Sequence, residues 1–187
     1  VIRYHSFLFS AFKYAIKHDL IEKNPMDKVA RPKEVPFIAN WLDAEQIRLL
    51  LTTASKHWLF TPIFIAVTLG LRRSEIIALR WSNINLKKGI VSVKEKELKI
   101  DGQDKVVKKL KSQSSYRTLV LPDVLLHFLC KLKNAQEKLK ESLPKELHQN
   151  FKYVCLDMKR KKGARLKLEQ VSKGFPRLIG KITDIEN

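Results

Sequence analysis

Few cysteines and no long apolar run limit the kind of protein that this sequence can encode. The 187 residues include only Cys130 and Cys155, too few for the disulfide framework of small secreted domains. The longest uncharged apolar stretch, residues 57–71, has 15 residues and contains Pro62. A membrane-spanning helix needs about 18 or more. The chain also opens without a signal-peptide pattern. We therefore expect a cytoplasmic protein with reduced thiols and no membrane-spanning helix.

Acidic residues are scarce beside basic ones: 19 Asp and Glu stand against 37 Lys and Arg, and the net charge is +18. Residues 87–117 hold ten basic and four acidic side chains, and residues 152–181 hold ten and two. Such clustered charge indicates a polyanionic partner, with nucleic acid as the first candidate and an acidic membrane surface as the second. Two basic loops that serve only solubility are the alternative.

The distribution of prolines divides the chain. Two prolines and three charges within residues 30–36 are typical of a linker. Before it, residues 1–19 have apolar side chains at helical spacing, and this pattern starts without a cap or a Met, as in a piece cut from a longer protein. We predict a helical unit over residues 1–30, a linker over residues 31–40 and a second domain over residues 41–187.

The second domain has the pattern of an α+β fold. A capping-box spacing at residues 43–46 starts one helix. A nearly all-apolar helix over residues 58–68 belongs at the centre of the domain. Alternating apolar side chains between residues 89 and 121 predict a small antiparallel sheet of about three strands. Helical patterns resume after Pro122 and at Leu168. The domain is therefore predicted to be mainly α-helical with a small antiparallel β-sheet.

Residues 68–75 place an arginine where one helix ends and another, predicted over residues 74–81, begins. Arg72 follows the helix-breaking Gly70, and a guanidinium beside the amides of a first helical turn is a good phosphate site. Glu75 lies three residues later, close enough to orient Arg72 or to cap the helix. An Arg–Glu pair without a ligand is the alternative, which the local pattern slightly favours.

The segment Thr68–Glu75, with the sequence TLGLRRSE, closely resembles the first arginine box of the tyrosine recombinases, the phage integrase family. The match continues through Ala78–Ile84, where Asn83 replaces the Asp that is common in the family. Residues 110–122 resemble the family's β-hairpin lysine segment, and the N-terminal stretch is similar to the end of its core-binding domain. The resemblance implies a recombinase catalytic domain preceded by the last helix of a helical core-binding domain.

The resemblance also implies catalytic roles. Arg72 would be the first catalytic arginine, which clamps the scissile phosphate, and Lys111 the hairpin lysine, which protonates the leaving 5′ oxygen. Glu75 would orient the site, while Lys108 and Lys109 leave the register of the hairpin lysine open. No metal and no other cofactor are implied, because the bond energy is kept in a 3′-phosphotyrosyl intermediate.

Other basic side chains are expected to contact the phosphates of double-stranded DNA, in a manner that is largely independent of base sequence and strongly sensitive to salt. These residues are Arg73, Lys108, Lys109, Arg117, Lys159, Arg160, Lys161, Lys162 and Arg165. For the basic run at residues 159–165, a merely solvated loop is the alternative.

The family's second box, His-x-x-Arg, and the nucleophilic tyrosine that follows it are missing from this sequence. No histidine has an arginine three residues later, and no tyrosine has the position of the nucleophile. The sequence stops at Asn187, about where that box should begin. We therefore expect a fragment of a site-specific recombinase, or integrase, that binds DNA without cleaving it.

The complete parent is expected to cleave and rejoin DNA as a homotetramer on its sites, with no small-molecule substrate. One alternative is a non-catalytic basic DNA-binding protein that regulates a mobile element. Another is an RNA- or ribosome-associated basic protein. That class would need base-stacking aromatic side chains on the sheet, where the pattern provides only Tyr116. It is therefore the least favoured.

Overall fold

The computed structural model describes most of the chain: residues 1–33, 41–100, 102–107, 116–160 and 163–180. The backbone divides into two compact units, Val1–Trp41 and Leu42–Asn187. Most of the predicted linker falls outside the described residues, so the domain limits given above stay a prediction.

The first unit contains helix α1, Ile2–Lys17, and a short 3-10 helix, Pro25–Lys28. The helix predicted for the start of the chain is confirmed. The side chain of Asn24 accepts a hydrogen bond from the N–H of Met26 at 3.0 Å and donates one to the carbonyl oxygen of Phe9 at 3.2 Å. One side chain therefore caps the 3-10 helix and ties it to α1.

The second unit contains five α-helices among its described residues: α2 (Ala44–Ala54), α3 (Phe60–Leu69), α4 (Arg73–Ala78), α5 (Asp123–Glu141) and α6 (Leu168–Ile179). The capping box predicted for α2 is present. The carboxylate of Asp43 accepts from the N–H of Gln46 at 2.8 Å, and the side chain of Gln46 accepts from the N–H of Asp43 at 3.0 Å.

Helix α4 ends three residues earlier than the sequence pattern predicts. Its last residue is Ala78, and the next residue, Leu79, has extended backbone angles. The carbonyl oxygen of Leu79 accepts from the N–H of Val154 at 3.0 Å, and Arg80 forms an antiparallel β-bridge with Tyr153. Backbone pairing with this distant segment replaces the last helical turn.

Seven strands lie in the described residues: β1 (Ile84–Asn85), β2 (Ile90–Val93), β3 (Lys96–Ile100), β4 (Gln103–Val107), β5 (Arg117–Val120), β6 (Leu156–Asp157) and β7 (Ala164–Arg165). All pairs are antiparallel: β1–β2–β5 form one sheet, while β3–β4 and β6–β7 form two hairpins. The mainly α-helical fold with small antiparallel sheets is confirmed. The predicted single sheet needs correction, because the charged segment between β2 and β5 pairs with itself around Gly102, at φ +75°.

The core of the second unit forms between α3 and the elements around it. Ile65 of α3, Ile77 of α4, Val91 of β2 and Leu125 of α5 are all fully buried in one cluster. Each such side chain contributes about 1.5–3 kcal/mol by leaving water. The central position predicted for α3 is therefore confirmed. Across the described part of the chain, no helix is long and apolar enough to cross a membrane.

Candidate active site

The junction between α3 and α4 brings Arg72 to the surface. Gly70 ends α3 in the left-handed backbone region, at φ +61°, where other residues would be strained. Arg72 is the N-cap residue of α4 and has extended backbone angles. Its side chain is 72% exposed. The sharp turn at Gly70 thus allows a guanidinium to project from the end of a buried helix.

A buried carboxylate holds this arginine in place. Glu75, in the first turn of α4, has a side chain that is only 3% exposed. Its Oε2 accepts from the backbone N–H of Arg72 at 2.9 Å, and its Oε1 accepts from Nη1 of the Arg72 side chain at 3.2 Å. Arg72 therefore pairs with Glu75 while most of its side chain remains exposed. Its contact with a phosphate stays a prediction.

Arg117, the first residue of β5, forms hydrogen bonds with the same carboxylate. Its Nη2 donates to Oε2 of Glu75 at 2.8 Å, and its Nη1 donates to Oε1 at 3.2 Å. This two-bond fork is the strong geometry for an arginine and a carboxylate. The structure therefore places Arg117 as the partner of Glu75, with a side chain that is 28% exposed. Its contact with DNA stays a prediction.

The hydrogen bonds to Glu75 lower its pKa, and this predicts that the stability of the protein depends on pH. Burial alone would raise the pKa, but hydrogen bonds from Arg117 and Arg72 outweigh it and hold the pKa below the ordinary 4.5. The ionised carboxylate therefore contributes stability that is fully present well above pH 4.5 and is lost as the pH falls through the lower folded-state pKa. We expect the melting temperature of Glu75→Gln to fall less steeply on acidification than that of the wild type.

Thermal melts followed by circular dichroism from neutral to acidic pH measure this difference. Glu141→Gln is the matched control, because Glu141 is an exposed residue of α5 and its loss should leave the pH profile unchanged. Parallel profiles for Glu75→Gln and the wild type would show that the ion pairs of Glu75 contribute nothing to stability.

Five predicted site residues lie outside the described part of the chain: Lys108, Lys109, Lys111, Lys161 and Lys162. The hairpin lysine is among them, so its role and its register stay predictions. The flanking strands are described, since β4 ends at Val107 and β5 begins at Arg117.

Three further predicted DNA contacts are exposed but also have partners within the second unit. Arg73 donates to the hydroxyl of Ser172 on α6. The amine of Lys159 donates to a backbone carbonyl oxygen. Arg160 pairs with the buried Asp157 at 3.1 Å and stacks on the ring of Trp58 at 3.7 Å. Their exposure leaves phosphate contact open, and that role stays a prediction.

Arg165 belongs to an ionic network that sequence reasoning missed. It pairs with Glu97, which is 0% exposed, and stacks on the ring of Tyr153 at 3.9 Å. Beside it, Nε of Arg80 lies 2.9 Å from Oε2 of Glu95, which is 9% exposed. Burial and the charge of Arg80 lower the pKa of Arg165 to about 10, so the guanidinium stays charged at neutral pH.

One signal in the sequence could have revealed this network. From Val91 to Glu97, every second residue is buried: two valines are followed by two glutamates on the same face. Strand alternation therefore places both acids inside the protein, where a charge needs a partner. The arginines that supply the partners come from other elements, and no local pattern identifies them.

The sequence pattern of the phage integrase family matches residues 40–182. This chain therefore belongs to the phage integrase family. Among the described residues, no group of His, Cys, Asp and Glu could hold a metal ion.

Two curated proteins show the relationship in sequence. The ICEBs1 integrase of Bacillus subtilis strain 168 is 29% identical over 134 residues, which are 71% of this chain and 36% of that protein. A tyrosine recombinase XerC-like protein of Caldanaerobacter subterraneus subsp. tengcongensis is 26% identical over 152 residues, 73% of this chain and 39% of its own. The chain thus spans little more than a third of each relative.

Solved structures show the shared fold. The Tn1549 transposon integrase in complex with transposon right end DNA has a TM-score of 0.72 at 20% identity, covering 98% of this chain and 58% of its own. The lambda integrase bound to DNA has a TM-score of 0.60 at 19% identity, covering 93% of this chain and 53% of its own.

Proposed function

We propose that this chain is part of a tyrosine recombinase that carries out site-specific DNA recombination or integration, cleaving and rejoining strands through a 3′-phosphotyrosyl intermediate. The observation that carries the proposal is the exposed guanidinium of Arg72, anchored by the buried Glu75, which Arg117 fixes in turn. A guanidinium that is already held in position at the surface can stabilise negative charge on a phosphate without being ordered during the reaction. Phosphoryl-transfer catalysis depends on such positioning.

The proposed chemical roles are those that the resemblance to the family implies. Arg72 would hold the non-bridging oxygens of the scissile phosphate as negative charge develops, and Lys111 would donate a proton to the leaving 5′ oxygen. The sequence contains neither His-x-x-Arg nor a tyrosine in the position of the nucleophile. We therefore propose that these 187 residues bind DNA without cleaving it.

The proposed partner is double-stranded DNA in the cytoplasm, with no cofactor and no small-molecule substrate. The net charge of +18 supports a polyanionic partner. The related Tn1549 integrase was solved with transposon DNA, and lambda integrase was solved as a tetramer on a Holliday junction. By analogy with these proteins, we propose that the complete recombinase acts as a homotetramer on DNA.

Binding to duplex DNA should weaken steeply as salt rises. Each phosphate that a lysine or arginine neutralises releases counterions, so six to ten such contacts would lower affinity by about 10³–10⁵-fold between about 50 and 200 mM salt. Fluorescence anisotropy of a labelled duplex, titrated with the chain at several salt concentrations, measures the slope. A flat response would contradict phosphate contact by the basic segments.

The sequence of the source gene beyond the codon for Asn187 separates the two leading functions. An in-frame continuation with His-x-x-Arg and then a tyrosine would support the recombinase. A stop codon would favour a non-catalytic DNA-binding regulator of a mobile element. In that regulator, Arg72 and Lys111 would serve only as phosphate contacts.

A further inference from the structure

We infer that the buried carboxylates Glu95 and Glu97 are positioning residues for DNA binding, because they hold the β3–β4 hairpin in the orientation that presents its lysines to the duplex. The inference deepens the proposed function and rests on it. Neither glutamate is exposed enough to contact DNA. Each would therefore act through the hairpin that it anchors.

The anchors join the hairpin to two other parts of the second unit. Glu95, just before β3, pairs with Arg80, which follows α4, the helix that Arg72 caps. Glu97, on β3, pairs with Arg165 on β7. Ion pairs therefore attach the start of the β3–β4 hairpin to the segment that follows α4 and to the β6–β7 hairpin.

An aromatic ring completes this attachment. Tyr153 is 6% exposed and its ring is close to both arginines: Cζ of Arg165 is 3.9 Å from the ring centre, and Cζ of Arg80 is 5.4 Å away. Ion pairs and cation–π contacts depend on direction, whereas apolar burial does not. The network thus restrains the angle of the hairpin as well as its attachment.

The same pairs determine the charge that the hairpin presents to solvent. Residues 94–107 contain four lysines, two glutamates and two aspartates, so their sequence is formally neutral. Both glutamates are buried and neutralised by arginines from outside the hairpin. Lys94, Lys99 and Lys105 are exposed. Among the described residues of the hairpin, Asp104 is half-buried and the exposed charged side chains are all lysines, of which Lys99 lies 3.9 Å from Glu169. The surface that these lysines form is therefore basic, as contact with phosphates requires.

Removing one buried negative charge tests the inference, because electrostatics and positioning predict opposite results. Glu97→Gln raises the net charge by one and releases Arg165 from its partner, so electrostatics alone predicts tighter DNA binding. Loss of positioning predicts the reverse. We expect roughly three- to tenfold weaker binding to a labelled duplex, and a salt slope shallower by about 1 to 2, as one or two phosphate contacts are lost.

Glu141→Gln is the matched control, since it makes the same change of charge at an exposed residue of α5. It should bind DNA as tightly as the wild type or slightly more tightly. Circular dichroism at the assay temperature establishes that each variant is folded. A purely structural role for Glu97 would lower the melting temperature and leave the salt slope of the folded protein unchanged.

Glu95→Gln provides the same comparison if Glu97→Gln does not fold, because its partner Arg80 is 28% exposed and can reach water. Unchanged or tighter binding by the folded variants, with an unchanged salt slope, would overturn the inference. If the wild-type chain itself fails to bind duplex DNA, the proposed function fails first. That outcome is distinct, because it requires no variant.

Discussion

Arg72→Ala should lower the rate of DNA cleavage by the complete recombinase by about 10²–10³-fold while the protein stays folded. The side chain is 72% exposed and, among the described residues, donates a hydrogen bond at 3.2 Å to the carboxylate of Glu75, which Arg117 continues to hold. Its removal therefore leaves no buried charge without a partner. The variant should lose stabilisation of the transition state, in which negative charge develops on the phosphate. Single-turnover cleavage of a duplex that traps the covalent intermediate measures the cleavage rate.

The matched control is Arg48→Ala, which removes an exposed arginine from α2. Its cleavage rate should equal that of the wild type. Arg72→Lys keeps the charge but loses the planar fork of donors, so it should restore little of the rate. Wild-type activity in Arg72→Ala, or its wholesale unfolding, would rule out a role for Arg72 at the scissile phosphate.

Arg165→Met should lower the free energy of unfolding by about 3–5 kcal/mol. Glu97 is 0% exposed, so without Arg165 its carboxylate would stay buried and lose the cation that now pairs with it. The reverse change, Glu97→Gln, is milder because the Arg165 side chain is 20% exposed and can reach water. Urea unfolding followed by circular dichroism measures both variants.

Two comparisons test this explanation. Arg177→Met removes an exposed arginine from α6 and should change the stability by less than about 0.5 kcal/mol. The double variant Glu97→Met with Arg165→Met removes both charges and should recover much of the lost stability, since apolar residues can replace a buried ion pair. If the double variant is as unstable as Arg165→Met alone, the lost stability comes from the packing around Tyr153 and not from the unpaired charge.

The sequence pattern predicted the elements whose buried side chains are apolar and follow helical or strand spacing. Helix α3 was predicted because nearly all its side chains are apolar and Gly70 stops it. Helix α4 was predicted three residues too long, because Leu79 and Arg80 pair with a strand segment that no local pattern connects to them. For a similar reason, the sequence pattern assigned the residues between β2 and β5 to the same sheet as those strands, although they pair with each other as a separate hairpin. From Val91 to Glu97 every second residue is buried, but at the start of the hairpin glutamates rather than apolar side chains occupy those positions. The separate hairpin was therefore not recognised.

For the site, the sequence alone determined the family, the helix break at Gly70 and the closeness of Glu75 to Arg72, because these features lie within a few consecutive residues. It treated Arg117 and Arg165 alike, as basic side chains available to DNA. Only the tertiary structure decided that each meets a buried glutamate, Glu75 for the first and Glu97 for the second. Which carboxylate a guanidinium reaches depends on how separate elements pack, and that packing is set by contacts between residues far apart in the chain.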